Sequence, residues 1–164
     1  MASTFQTPTY TAPVPDADIR RMAGVNDGIL LVGRILLVLM FILSGAGKFL
    51  DLSGTAAMIA SKGLPAPMAL AAIAGAAEVL GGVMIVIGWQ TRFAALGLIV
   101  YTAAATYFFH DFWNMTGDAR QMDMIQAMKN LSVIGGFLML AGVGAGRFSI
   151  DGPCIMHDRS TSAS

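Results

Sequence analysis

The stretch GRILLVLMFILSGAGKFLD, Gly33 to Asp51, decides the fold. Thirteen uncharged residues separate Arg34 from Lys48. The run is continuously apolar rather than alternating, so it is read as a bilayer-spanning helix and not as a barrel strand. Arg34, Phe41 and Lys48 recur every seven residues and share one helix face, with Ser44 and Gly45 on the same stripe. Cations are costly inside a bilayer, so that stripe is expected to face other helices rather than lipid.

Composition agrees with a membrane location. The 164 residues are 55% hydrophobic with a mean hydropathy of +0.67. Only 12% are charged, roughly half the fraction of an ordinary soluble domain. Formal net charge is zero and no basic block occurs, which argues against a nucleic-acid partner. Cys154 is the single cysteine, which excludes an internal disulfide, a thiol relay and cysteine-ligated iron–sulfur or zinc sites; no metal site is expected.

Three further apolar segments follow the first, which runs from about Gly28 to Leu50: Met68–Trp89, Phe93–Phe109 and about Ala127–Ala145. Each approaches the roughly 20 residues that a spanning helix needs. Small residues recur in them, at Gly75, Gly81, Gly82, Gly135 and Gly136 among others, and permit close helix approach in lipid. The fold class expected is all-α: an integral membrane four-helix bundle over residues 28–146. Residues 1–27, rich in Thr, Pro and Ala, are read as a disordered arm, and 147–164 as a surface tail. Arg20-Arg21 ahead of an apolar run has the look of a secretion signal, but the run is too long for one, so it is read as an uncleaved first helix.

The connections differ in kind. Gln90-Thr91-Arg92 reads as a tight turn, whereas the link from Asp51 to Pro67 is expected to hold a short interfacial helix, with Ser53 as N-cap and Gly63 as its stop. The link His110–Gln126 carries Trp113 at the expected headgroup level. Four spans put both termini on the side of the Gln90–Arg92 turn. Arg20, Arg21, Arg92, Arg147 and Arg159 gather there, so cytoplasmic termini are expected.

Every span carries a polar stripe. Glu78, the only glutamate, lies on a face of small residues with Ala71, Ala74, Gly75, Gly81 and Gly82. Thr102, Thr106 and His110 align on the third helix, and Lys129, Ser132 and Gly136 on the fourth, with Asn130 beside them. A rise of about 1.5 Å per residue puts Glu78 about 15 Å inside its outer end, with Arg34 roughly 20 Å below Lys48. Arg34 is therefore expected to pair with Glu78, either as a structural ion pair that fixes register or with Glu78 handling protons. Lys48, His110, Lys129 and Asn130 are expected to form a separate polar pocket near the outer face, with Asp51 and Asp111 nearby. Lys48 and Lys129 have a plainer reading as snorkelling lysines, and Tyr101 and Tyr107 as packing or interface residues. Haem lacks its axial ligands, since only His110 and His157 are present. No covalently bound cofactor is expected; a quinone needs only an apolar cleft and one or two donors, which the outer pocket supplies.

These residues resemble a known family. GRILLVLMFILSGAGKFLD is similar to the opening of DoxX-family proteins. GLPAPMALAAIAGAAEVLGGVMIVIGWQTRFAAL looks like their second stretch, while HDFW, KNLSVIGGFLML and GAGRFSID resemble the later parts. The likeness runs from about Gly33 to Asp151 and takes in Arg34, Lys48, Glu78, Arg92, His110, Lys129 and Asn130. It implies a four-helix inner-membrane protein. Some relatives are subunits of a thiosulfate:quinone oxidoreductase, and others accompany complexes of oxidative-stress and thiol defence. The expectation is a membrane subunit of a redox complex, quinone-linked or oxidative-stress related, with a partner redox protein or a second copy of itself. A non-catalytic anchor or assembly subunit and a small-solute or lipid carrier are the alternatives. No inverted repeat is visible to favour the carrier.

Overall fold

A computed structural model describes residues 16–152, with side chains from residue 26 onward. The expectations for residues 1–15, Cys154, His157 and Arg159 lie outside the described residues. Helix α1 spans Asp16–Leu50, α2 Leu52–Ser61, α3 Pro67–Ile87, α4 Thr91–Phe109 and α5 Gly117–Val143. A single 3-10 turn, Phe112–Asn114, precedes α5. Four of these helices are long and apolar enough to cross a membrane, and no strand occurs among the described residues. The expected four-helix membrane bundle is thus the fold, and α2 is the expected short helix between the first two spans.

Two boundaries move. The helix begins at Asp16, so the expected arm of residues 1–27 is helical over its last twelve residues. No proline follows Pro15 until Pro65, so nothing in the sequence interrupts the helix over this stretch. Similarly, α5 starts at Gly117, ten residues before its apolar part. Its opening stretch GDARQMDMIQ is helical without being apolar, so hydropathy alone does not see it.

Each span divides its circumference between lipid and bundle. Ile29, Leu36, Leu43 and Leu50 form an exposed row on α1, spaced by seven and opposite the Arg34–Phe41–Lys48 row. Phe93, Val100 and Tyr107 do the same on α4, and Ile73, Leu80 and Ile87 on α3. Lipid solvates these rows, so their exposure carries no penalty. The buried centre consists of Val38, Phe41, Ile85, Leu98, Phe137 and Leu140. There the rings of Phe41 and Phe137 meet edge to face at 5.3 Å and bring α5 against α1.

The tightest helix contact is α1 on α3. A Cβ added at Gly45 would lie 2.8 Å from the Gly75 carbonyl oxygen and 2.9 Å from Glu78 Cβ. Only glycine at 45 lets the two backbones approach this closely. That contact sets the register of Glu78 against α1.

α2 is capped by Asp51, not by Ser53: the Asp51 carboxylate accepts from the Gly54 N–H at 2.9 Å. Asp51 is the first residue to leave α1, so it reaches the free amides that Ser53, already inside the helix, does not. Gly63 does end the helix, with φ +72°. α2 lays Ala56 and Ile59 on Ala71 of α3. Lys62, just past its end, donates to Asp111 at 2.9 Å.

Candidate functional site: a buried lysine–glutamate–tyrosine cluster

Glu78 is 5% exposed, in the middle of α3. Its partner is Lys48 and not Arg34. Lys48 Nζ lies 2.7 Å from Glu78 Oε2 and also donates to Ser44 Oγ at 2.7 Å. Tyr101 donates its phenol O–H to Glu78 Oε1 at 2.7 Å, and Ser44 Oγ donates to the same oxygen at 3.3 Å. Three donors from α1 and α4 therefore converge on one carboxylate.

Register explains why the expected Arg34–Glu78 pair does not form. The Gly45–Gly75 contact places Glu78 beside residue 45. Lys48 is one turn away from that level, about 4.5 Å along the axis, whereas Arg34 is eleven residues away, about 16 Å. No arginine side chain covers that distance. Depth counted from helix ends put Glu78 between the two cations and favoured Arg34; the glycine contact assigns it to Lys48.

Arg34 has a different role. It is 2% exposed, and its guanidinium donates to the Ile85 carbonyl at 3.3 Å and to the Phe148 carbonyl. Ile85 belongs to the last turn of α3, whose carbonyls lack helical partners and form the negative end of the helix dipole. Beyond it Gly88 (φ +71°) reverses the chain, and a Cβ there would meet the Arg34 guanidinium. The stretch 147–152, expected as surface tail, docks on this turn. Ile150 and Asp151 donate their N–H groups to the carbonyls of Ile87 and Gly88. The Asp151 carboxylate accepts from the Gln90 and Thr91 N–H groups at 2.8 and 3.0 Å. It thus caps α4, whose own N-cap, Gln90, makes no side-chain bond. Partial desolvation works to raise the Asp151 carboxyl, but the Thr91 and Gln90 amides and the charge of Arg34 outweigh it and hold it below the ordinary range.

The residues of the expected outer pocket separate. Asn130 donates to Thr106 Oγ1 at 2.9 Å, and Thr106 donates onward to the Thr102 carbonyl. His110 Nδ1 lies 3.6 Å from Asp123 Oδ1. Lys129 is exposed, while Asp51 and Asp111 are occupied by α2 and Lys62. Lys48 leaves the pocket altogether, because its ammonium turns inward to Glu78. Lys48 and Asn130 still share a level. They stand seven residues, or about 10 Å, from Phe41 and Phe137 on antiparallel helices. His110 and Asp123 sit further toward the α1–α2 and α4–α5 links, on the same two helices that hold Tyr101 and Asn130.

Sequence reasoning read Tyr101 as a packing or interface residue, whereas its hydroxyl bonds Glu78. Tyr101 adjoins the Thr102 stripe within an apolar span, and a tyrosine so placed needs a partner for its O–H. The single glutamate of the chain was the available acceptor.

Residues 29–111 match the family model described as DoxX. The chain is 43% identical to the inner membrane protein YphA of Escherichia coli over 75% of its own length and 88% of that protein's. It is 35% identical to the inner membrane protein YqjF of Escherichia coli, over 79% of this chain and 95% of that one. A Surfeit locus protein 4 homolog of Schizosaccharomyces pombe is 27% identical over 74% of the chain and 36% of its own length. No solved structure matches.

Proposed function

The chain belongs to the DoxX family, and on that footing we propose that it is an inner-membrane subunit of a quinone-linked redox complex whose working group is the Lys48–Glu78–Tyr101 cluster. The observation that carries this reading is the donor count at Lys48. An ammonium has three N–H donors. Two are given to Glu78 and Ser44, and the side chain remains 23% exposed. The third donor is therefore left for an acceptor such as a carbonyl oxygen arriving from the lipid. Lys48 is suited to bind and orient that oxygen. Glu78, shielded from water and bonded to Lys48 and Tyr101, fixes the ammonium and the phenol where that oxygen would arrive. A quinone would supply the two-electron chemistry, with electrons exchanged with a partner redox protein.

The same cluster also favours a second reading as a non-catalytic anchor, since Lys48, Ser44 and Tyr101 of the chain itself already supply Glu78 with three donors. One experiment separates the two. The protein is purified gently from native membranes, and co-purifying proteins and extractable quinone are identified by mass spectrometry. The first reading expects a stoichiometric redox protein together with quinone, and loss of the quinone alone in Lys48→Met. A partner retained without quinone in both forms supports the anchor. A chain that purifies alone and quinone-free removes both and leaves transport.

A further inference from the structure

At the opposite end of the bundle from Lys48, the start of α4, the end of α5 and the docked stretch after it enclose a cleft of about 440 Å³. That volume lies within the ~300–1,000 Å³ range of small-molecule sites. Its polar wall holds Arg92, Arg147, Asp27 and Asp151, and its apolar wall Phe93 and Val143. We propose that this cleft binds the headgroup of an anionic phospholipid, with Arg92 as the principal phosphate ligand.

The charge count at this end leaves Arg92 over. Among the described residues Asp27 accepts the Arg147 N–H at 3.1 Å and faces its guanidinium at 3.9 Å. Asp151 is taken by the Gln90 and Thr91 amides and faces Arg34. Among the described residues two carboxylates thus stand against Arg34, Arg92 and Arg147, and neither is paired with Arg92. The Arg92 guanidinium spreads over Gly144, 3.7 Å from where a Cβ would stand. Gly144 has φ +86°, a conformation that disfavours any side chain, so no Cβ stands between its backbone and the guanidinium. A planar guanidinium matches phosphate oxygens two at a time.

A lipid is favoured over a soluble phosphate by the neighbours of the arginines. Arg92 is the second residue of its spanning helix, and Val143 is the last of α5, so the cleft stands at headgroup level. Phe93 and Val143, 72% and 62% exposed, continue the cleft toward the bilayer. A free phosphate has no use for that apolar rim, whereas acyl chains lie along it.

The test is native mass spectrometry of the full chain, delipidated in detergent and titrated with dioleoyl phosphatidylglycerol, dioleoyl phosphatidylethanolamine or inorganic phosphate. Phosphatidylglycerol is expected to bind in preference to phosphatidylethanolamine, and Arg92→Gln to lower that binding about fivefold, the worth of one interfacial cation. Arg92→Lys should retain part of the preference, and Arg120→Gln, in the first turns of α5 at the other end of the bundle, all of it. Equal phosphatidylglycerol binding by Arg92→Gln and the parent chain overturns the assignment. So does equal loss in Arg120→Gln, which would mark mere surface charge. Inorganic phosphate displacing the lipid at equal concentration overturns the lipid in favour of a soluble anion. Should Arg92→Gln fail to fold, Phe93→Ser, which removes the exposed apolar rim, carries the same expectation of weakened binding, and binding unchanged in it overturns the assignment.

Discussion

Glu78 depends on donors from three side chains, and each has a separable effect. Lys48→Met strips the cation from a carboxylate that is 5% exposed. Breaking a buried pair on one side costs about 3 kcal/mol. Thermal melting in detergent should show that loss, and the double variant Lys48→Met/Glu78→Gln should recover most of it, because no charge is then left alone. A double variant as unstable as the single would mean that Lys48 acts by packing. Tyr101→Phe keeps the ring and removes one hydrogen bond to a charged group, about 1.5 kcal/mol or somewhat more. Its melting point should fall while helix content by circular dichroism stays the same. Both effects are residue-scale because hydrogen bonds of 2.7 to 3.3 Å link the five atoms involved.

At the scale of helices, the contact of α1 with α3 is a backbone approach at Gly45 and Gly75. Gly45→Ala would push a methyl to 2.8 Å from a backbone oxygen, which does not yield as a side chain does. Overpacking of this kind costs about 1–3 kcal/mol. It also moves Glu78 relative to Lys48, so the variant should lose both stability and the properties of the cluster. Gly142→Ala provides the contrast: nothing lies within 4 Å of its added Cβ, so melting should be unchanged or slightly improved. Equal behaviour of the two variants would refute the packing assignment. The sequence pointed to the glycines as contact residues through their abundance, but abundance does not distinguish Gly45 from Gly142. Only the position of the neighbouring helix does.

For the molecule as a whole, the stretch 147–152 closes one end of the bundle by joining α1, α3 and α4. Asp151→Ala should cost about 1 kcal/mol, as for a lost helix cap. The Gln90 and Thr91 amides should exchange hydrogen faster by the corresponding factor. The pH dependence follows from the direction of the shift. The Asp151 carboxyl is held below its ordinary value, so its contribution is fully present above the usual carboxylate range, about 4. It is lost as pH falls through the lowered folded value. Protection of those two amides should therefore persist at neutral pH and decay only in acid; decay that sets in near pH 7 would contradict the docking role.

The sequence by itself determined the membrane setting, the four spans, the short helix after the first and the inward direction of Glu78, Arg34 and Ser44. All follow from hydropathy and helical period, which are properties of one helix at a time. It did not determine which cation meets Glu78, that Tyr101 joins them, or that Asp151 caps α4 from 60 residues away. Those depend on the axial offset between two helices, and one close contact, Gly45 on Gly75, sets that offset for α1 and α3. Periodicity gives the face on which a residue lies; only packing gives the height at which it meets its partner. A bundle whose polar residues on α1, α3 and α4 face inward offers several heights at which charges balance, and the tertiary structure chooses the one that backbone approach allows.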